Sequence, residues 1–173
     1  MIEVKTNQQQ NIRLLAVKAL SEINRNGAYA NIKLQEYLQK YHLSDLDRRF
    51  FTELVYGVIR RKNYLDVIIV FFAKRPIKKL SSMVVEILRL GIYQIIYMDK
   101  VPESAAVNES VKLAKKLTRG LSGFVNAVLR SVLRESDSIS IGELAKSEAE
   151  EISFIYNQPL WLVNFWIKEM GKD

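Results

Sequence analysis

The 173-residue chain contains no cysteine, which removes disulfides, cysteine metal sites and cysteine nucleophiles at once. Its single histidine, His42, cannot build a metal site or a catalytic triad alone. Proline (3) and glycine (7) are scarce, so the punctuation that all-β folds need is missing. No stretch reaches the roughly 18 apolar residues of a spanning helix. The apolar run at 67–73 is short and leads into Lys74-Arg75-Pro76. The N-terminal MIEVKTNQQQN lacks the apolar core of a signal peptide. Neither GxGxxG nor GxxxxGK[ST] occurs, so no phosphate cradle is visible. Asp45/Asp47 and Glu150/Glu151 read as caps or solvated charges. Asn108-Glu109 has no base or metal partner, and Asn126, in an apolar run, is expected to bond backbone groups at a helix junction. These absences predict a soluble, cytoplasmic chain with no membrane partner and no catalytic, cofactor or metal residue of its own.

What is present is helix. Apolar residues make up 49% of the chain, enough for a substantial core. Ile12, Ala16, Ala19, Leu20 and Ile23 form one helical stripe, ended by Asn26-Gly27. Asn31 is placed to cap a second helix. Ser44 with Asp47 resembles a capping box ahead of DRRFFTELVYGVIRRK. An apolar segment over 64–73 stops before Pro76, and Ser81 or Ser82 opens the next helix, with positions 84, 87, 88, 91, 95 and 98 on one face. Gly91 lies inside that face, where close approach of another helix would explain it. Pro102 and Glu103 begin a helix striped with Ala106, Ser110, Leu113 and Leu117. Gly120 and Gly123 bracket a turn, and Phe124 to Leu133 follow as a wide apolar helix suited to the centre of a bundle. The pattern predicts an all-α bundle of about seven helices up to Arg134. ESDSISIGELAKSEAEE then shifts composition as a linker would, with Ser147 and Glu150 as a further capping box. The tail 154–173 is a helix apolar almost all round, which needs a partner surface.

Net charge is +7, unevenly spread. Residues 48–79 carry nine cations, Arg48, Arg49, Arg60, Arg61, Lys62, Lys74, Arg75, Lys78 and Lys79, against Glu53 and Asp66. Lys112, Lys115, Lys116 and Arg119 recur at helical spacing in an acid-free stretch, whereas residues 135–151 hold six acids and only Lys146. Cations near helix C-termini favour the dipole, and their stems cover apolar surface. As a collection they point to a polyanion held through phosphate contacts. No aromatic-rich sheet is detectable for base stacking.

The strings ELVYGVIRR, VPESAAVNESV and GFVNAVLR, in that order, together with NIRLLAVKALSEI, NGAYANIKL and KRPIKKL, resemble the NusB-like N-terminal domain of the RsmB/Sun family of rRNA small-subunit (cytosine-C5) methyltransferases. The tail NQPLWLVNFWIKEMG resembles the entry into that family's catalytic region. The resemblance implies a NusB-like RNA-binding helical bundle over 1–134, an acidic linker over 135–150 with one or two short helices to follow, and a truncated start of the methyltransferase region over 151–173. It implies ribosomal RNA and the catalytic domain of the same polypeptide as partners, with Trp161 and Trp166 at the contact between domains. The family methylates cytosine C5 from S-adenosylmethionine through a cysteine that adds to C6. That cofactor is expected for the longer parent and none for this cysteine-free chain, which is not expected to be catalytic. The alternative is a NusB-type antitermination factor or interaction module with a protein partner.

Overall fold

In the computed structural model, which describes residues 11–27, 29–135 and 140–171, each helix begins where the local chemistry supplies a start. Asn11 Oδ1 accepts from the Leu14 N–H at 3.0 Å to open α1 (Ile12–Asn26), whose expected stripe is buried. The next helix, α2 (Ala30–Lys40), departs from expectation. Asn31 lies inside it, and Tyr29 occupies the cap with no side-chain bond. Burial of Leu34 and Tyr37 places this helix, and cap preference yields to it. Ser44 opens α3 (Asp45–Arg60): its Oγ accepts from the Asp47 N–H at 3.2 Å and donates to Asp47 Oδ2 at 2.7 Å. Lys74, at φ 51°, ends α4 (Lys62–Ala73) ahead of Pro76, and a 3-10 turn at Ile77–Lys79 follows.

Ser81 caps α5 (Ser82–Tyr97), accepting from the Val84 N–H at 3.3 Å. Pro102 sits just before α6 (Glu103–Leu117), its carbonyl accepting from Ala105 and Ala106. A turn through Gly120 leads to α7 (Ser122–Glu135), with Gly123 already inside the helix. The acid-rich stretch expected as a linker carries α8 (Ile141–Leu144) and the start of α9 (Glu148–Tyr156), and α10 (Leu160–Met170) closes the described chain. No strand occurs among the described residues.

The chain divides between Tyr56 and Gly57 into two compact units, and α3 crosses the division. In the first, α1 packs on α2, Tyr37 stacks on Phe51 at 5.8 Å, and Tyr37 Oη donates to Glu22 Oε1 at 2.7 Å. That bond, more than the neighbouring Lys33, holds the Glu22 carboxyl below its usual range.

In the second unit α5 is the centre. The sequence suggests one buried face on this helix and a central role for α7. Instead every residue from Val84 to Gln94 is buried, because α4, α6 and α7 all pack against α5. Gly91 permits this. A Cβ there would lie 2.8 Å from Ser110 Oγ on α6 and 2.9 Å from a Leu129 methyl on α7. Gly57 is tighter still, since the Tyr93 ring occupies the space a Cβ would need.

Burying α5 all round forces its polar groups to find partners inside. Arg89, 5% exposed, bonds both Asp66 oxygens of α4 at 2.6 and 2.7 Å and Glu86 Oε1 at 2.7 Å. Burial lowers the guanidinium pKa, and Asp66 and Glu86 outweigh it, so the net shift is upward. Gln94 Nε2 donates to the Leu90 carbonyl at 2.9 Å. Asn126 does not bond backbone as expected; its Oδ1 accepts from Arg130 Nε at 3.0 Å, one turn along its own helix.

Gly91→Ala is expected to lose about 1–3 kcal/mol to overpacking despite the better helix former, and Gly57→Ala to lose more, because the Tyr93 ring that would have to move is itself buried. Urea unfolding measures both; a stabilised Gly91→Ala would mean that α6 and α7 yield. Arg89→Ala strands two carboxylates beside each other and is expected to cost about 3–5 kcal/mol. Arg89→Lys, which keeps the charge but loses the two-pronged bond to Asp66, should fall between wild type and Arg89→Ala.

Candidate nucleic-acid interface

The positions of the cations follow from how the helices run. In the second unit α4 and α5 are antiparallel: Arg61, just before α4, meets Tyr97 at the end of α5, while Asp66 meets Arg89 further back. The two ends of the 12-residue α4 are therefore roughly 18 Å apart. Lys74, Arg75, Lys78 and Lys79 lie past one end, and Arg60, Arg61 and Lys62 lie at the other.

The first group has company. The Arg75 guanidinium sits 6.0 Å from the Phe124 ring in the first turn of α7. That turn directly follows the α6–α7 connection bearing Arg119. Lys115 and Lys116 are exposed in the last turn of α6. One end of the unit thus gathers Lys74, Arg75, Lys78, Lys79, Lys115, Lys116 and Arg119, all exposed. Thr118 already closes α6, its N–H at 2.9 Å and its Oγ1 at 2.7 Å both donating to the Ala114 carbonyl, so the lysines are not needed there as caps. Lys112, expected on the same face, is exposed but paired with Glu109 at 2.7 Å. Arg119 lies beyond the helix end, in the turn.

Dipoles explain Lys115 and Lys116, which sit at a helix C-terminus. They also favour Lys74, which ends α4, and do not explain Arg75, Lys78 and Lys79. Lys78 and Lys79 precede the N-terminus of α5, and Arg75 lies against the N-terminus of α7. Both helix ends carry partial positive charge, which repels cations. The Lys74 ammonium gains from the Phe71 ring, 4.4 Å away. Such a concentration of like charge is the kind of surface that a polyanion neutralises.

The opposite end is built differently. Arg61 is half-buried, its guanidinium 4.0 Å over Tyr97. Burial raises the Tyr97 hydroxyl pKa, and the adjacent Arg61 charge pulls against it. Lys62 is half-buried and partnered, which leaves Arg60 exposed. In the first unit, Arg48 and Arg49 are exposed near the start of α3, and Arg48 Nη1 reaches the Leu38 carbonyl at 3.4 Å. His42 is exposed. No cluster of His, Cys, Asp or Glu suited to a metal occurs among the described residues, and no described helix is long and apolar enough to cross a membrane.

The apolar tail forms a second surface. Trp161 is 70% and Trp166 38% exposed, beside exposed Leu160, Phe165 and Met170, while Val163 is the buried residue of α10.

Similarity to known proteins bears on the fold and the family. Residues 10–134 match the family described as the NusB family. Probable ribosomal RNA small subunit methyltransferases B from Synechocystis and Bacillus subtilis are 41% and 34% identical, over 92% and 95% of this chain. The chain spans 36% of the length of each. The transcription antitermination protein NusB of Finegoldia magna is 30% identical over 75% of this chain and 96% of its own length. Among solved structures, Thermotoga maritima NusB superposes with a TM-score of 0.65 at 24% identity, covering 72% of this chain and 89% of that one. NusB in a complex of antitermination factors NusB and NusE with dsRNA gives 0.64 at 23% identity, covering 71% of this chain and 93% of that one. The fold is shared with both, and over residues 10–134 the chain belongs to the NusB family.

Proposed function

We infer that this chain is the RNA-binding accessory part of an S-adenosylmethionine-dependent rRNA cytosine-C5 methyltransferase. The observation that carries RNA binding is the set of exposed cations gathered at one end of the second unit, with Arg75, Lys78 and Lys79 beside the positive ends of α7 and α5. The NusB fold supports it, since a NusB of the same fold is found in complex with double-stranded RNA. The methyltransferase assignment is supported by where similarity extends. The match to the methyltransferase B relatives covers up to 95% of the chain, whereas the match to the antitermination protein covers 75%. In this reading residues 1–134 hold RNA, 135–150 connect, and 151–173 begin the methyltransferase region, whose catalytic domain meets Trp161 and Trp166. The cysteine and cofactor chemistry belongs to that domain.

The bundle would hold structured small-subunit rRNA by its phosphates, fixing where the duplex lies without reading its bases. Lys74, Arg75, Lys78, Lys79, Lys115, Lys116 and Arg119 are the principal contacts. Lys112 is screened by Glu109, and Arg60, Arg61 and Lys62 serve the opposite end mainly as structure. Arg48 and Arg49 supply exposed charge in the first unit.

With roughly four to six phosphates neutralised, log K for an rRNA hairpin is expected to fall against log salt with a slope of about −3 to −5. Salt-independent binding, or none at low salt, would defeat the proposal. Lys115→Glu combined with Lys116→Glu is expected to weaken binding at least about ten-fold and flatten that slope by roughly two. Arg60→Glu should change affinity much less. Equal losses from both would dissolve the distinction between the two ends. Capture of a protein partner without any RNA affinity would favour the interaction-module alternative.

A further inference from the structure

Within the second unit, residues 140–170 meet α4 at two points. Phe154 of α9 lies 5.7 Å from Tyr64 near the start of α4. Leu144 of α8 is buried and shares a groove with Val67 and Val70 of α4. Tyr64 and Val70 are six residues apart on one helix, roughly 9 Å. A segment pinned at one point swivels; one pinned at two such points retains only rotation about the line between them.

The corners are closed as well. Between α8 and α9, Ser147 Oγ accepts from the Glu150 N–H at 3.2 Å, and the Lys146 N–H donates to Glu150 Oε2 at 2.8 Å. Between α9 and α10, Asn157 takes a left-handed φ of 52°, its N–H donating to the Ser153 carbonyl. Ser153 Oγ donates to the Gln158 carbonyl at 2.6 Å, and the Gln158 N–H donates back to the Ser153 carbonyl at 3.1 Å. Val163, 1% exposed, seats α10 beside Ile152 of α9. Each corner is about three residues long and contains no glycine. The anchor at Val70 is also one turn from Lys74, where the basic end begins.

We propose that α8 and α9 form a strut in which Leu144 and Phe154 are positioning residues, holding the apolar face of α10 at a fixed orientation to the basic end of the bundle. This rests on the RNA-binding reading only for its purpose: RNA gripped through phosphates is presented in one pose to whatever α10 carries.

The two tryptophans of the chain, Trp161 and Trp166, both lie on α10. Time-resolved tryptophan anisotropy therefore reports the motion of this helix without labelling. Wild type is expected to decay with the slow tumbling of the bundle, matching 15N relaxation of α5 and α6 amides. A dominant fast segmental component in wild type overturns the strut. Phe154→Ala with Leu144→Ala should at least double the amplitude of the fast component, and Phe154→Tyr should restore most of the rigidity. Inserting Gly-Ser-Gly after Lys146 leaves both anchors intact and tests the corner if the double variant melts; unchanged anisotropy in that insertion counts against the proposal. In the longer enzyme, the insertion is expected to lower kcat for rRNA methylation on the order of ten-fold at unchanged KM, and an unchanged kcat would overturn the positioning role. Loss of RNA affinity in wild type would instead sink the RNA-binding reading while leaving the anisotropy result standing.

Discussion

A helix with no solvent face constrains everything packed around it. From Val84 to Gln94, α5 offers no residue to water, so its neighbours must cover it on every side and its polar groups must be met from within. Coverage is possible because the contacting surfaces are small where the helices meet. Gly91 faces Ser110 on α6, and Ala106 and Ala114 of the same helix are fully buried. Polar satisfaction comes through Arg89, whose fork fits both oxygens of Asp66. Such a bond needs α4 in one register, since a slide by one turn would leave three charged groups mismatched. A buried ion pair adds little net stability over a well-packed apolar set. Its contribution here is to set the alignment of α4 on α5, and with it the placement of both ends of α4.

That alignment decides where charge is available. The flanks of α4 to α7 are largely spent on one another, and the cations left free lie at helix ends and in the connections. At one end Arg61 is drawn onto Tyr97 and becomes part of the packing. At the other, Arg75 meets the start of α7, and Lys78 and Lys79 stand before α5. Cations at positive helix ends are a local conflict. Such conflicts with otherwise consistent folding rules concentrate at functional sites.

Much of the architecture is legible in the sequence because it rests on local chemistry. The caps at Ser44, Ser81 and Ser147, the stop before Pro76 and the stripe of α1 depend on residues three or four apart. The expected close approach at Gly91 also holds. What is not legible involves partners distant in the chain. Asn31 is a good cap by type, yet α2 starts before it because Leu34 and Tyr37 must be buried. The α5 pattern reads as one stripe because Glu86, Arg89 and Gln94 look like surface residues until Asp66 and the Leu90 carbonyl are found beside them. The same limit governs the basic residues. Their types and counts are plain, but spacing alone cannot separate Arg61, stacked on an aromatic ring, from Lys115 in solvent. Lys112 and Lys115 differ only in whether an acid stands three residues earlier, and that signal is present at Glu109.

A grip made of lysine and arginine on phosphate has strength without sequence preference. On the proposed RNA-binding function, any choice among nucleotides comes from geometry, from where a held duplex would leave the basic end relative to the rest of the protein. A flexible tether would discard that information, since a swivelling connection samples many orientations for each bound pose. The acid-rich composition of the stretch after α7 suggests such a tether, but Leu144 anchors it to α4 from within, and Phe154 anchors the chain to α4 again just beyond it. Because α4 is itself registered to α5 by Arg89, the orientation of α10 traces back to the same buried ion pair that positions the basic end. On the proposed function, recognition by phosphates and placement by α10 share one mechanical reference, and a contact without base specificity then serves a reaction that requires a particular base.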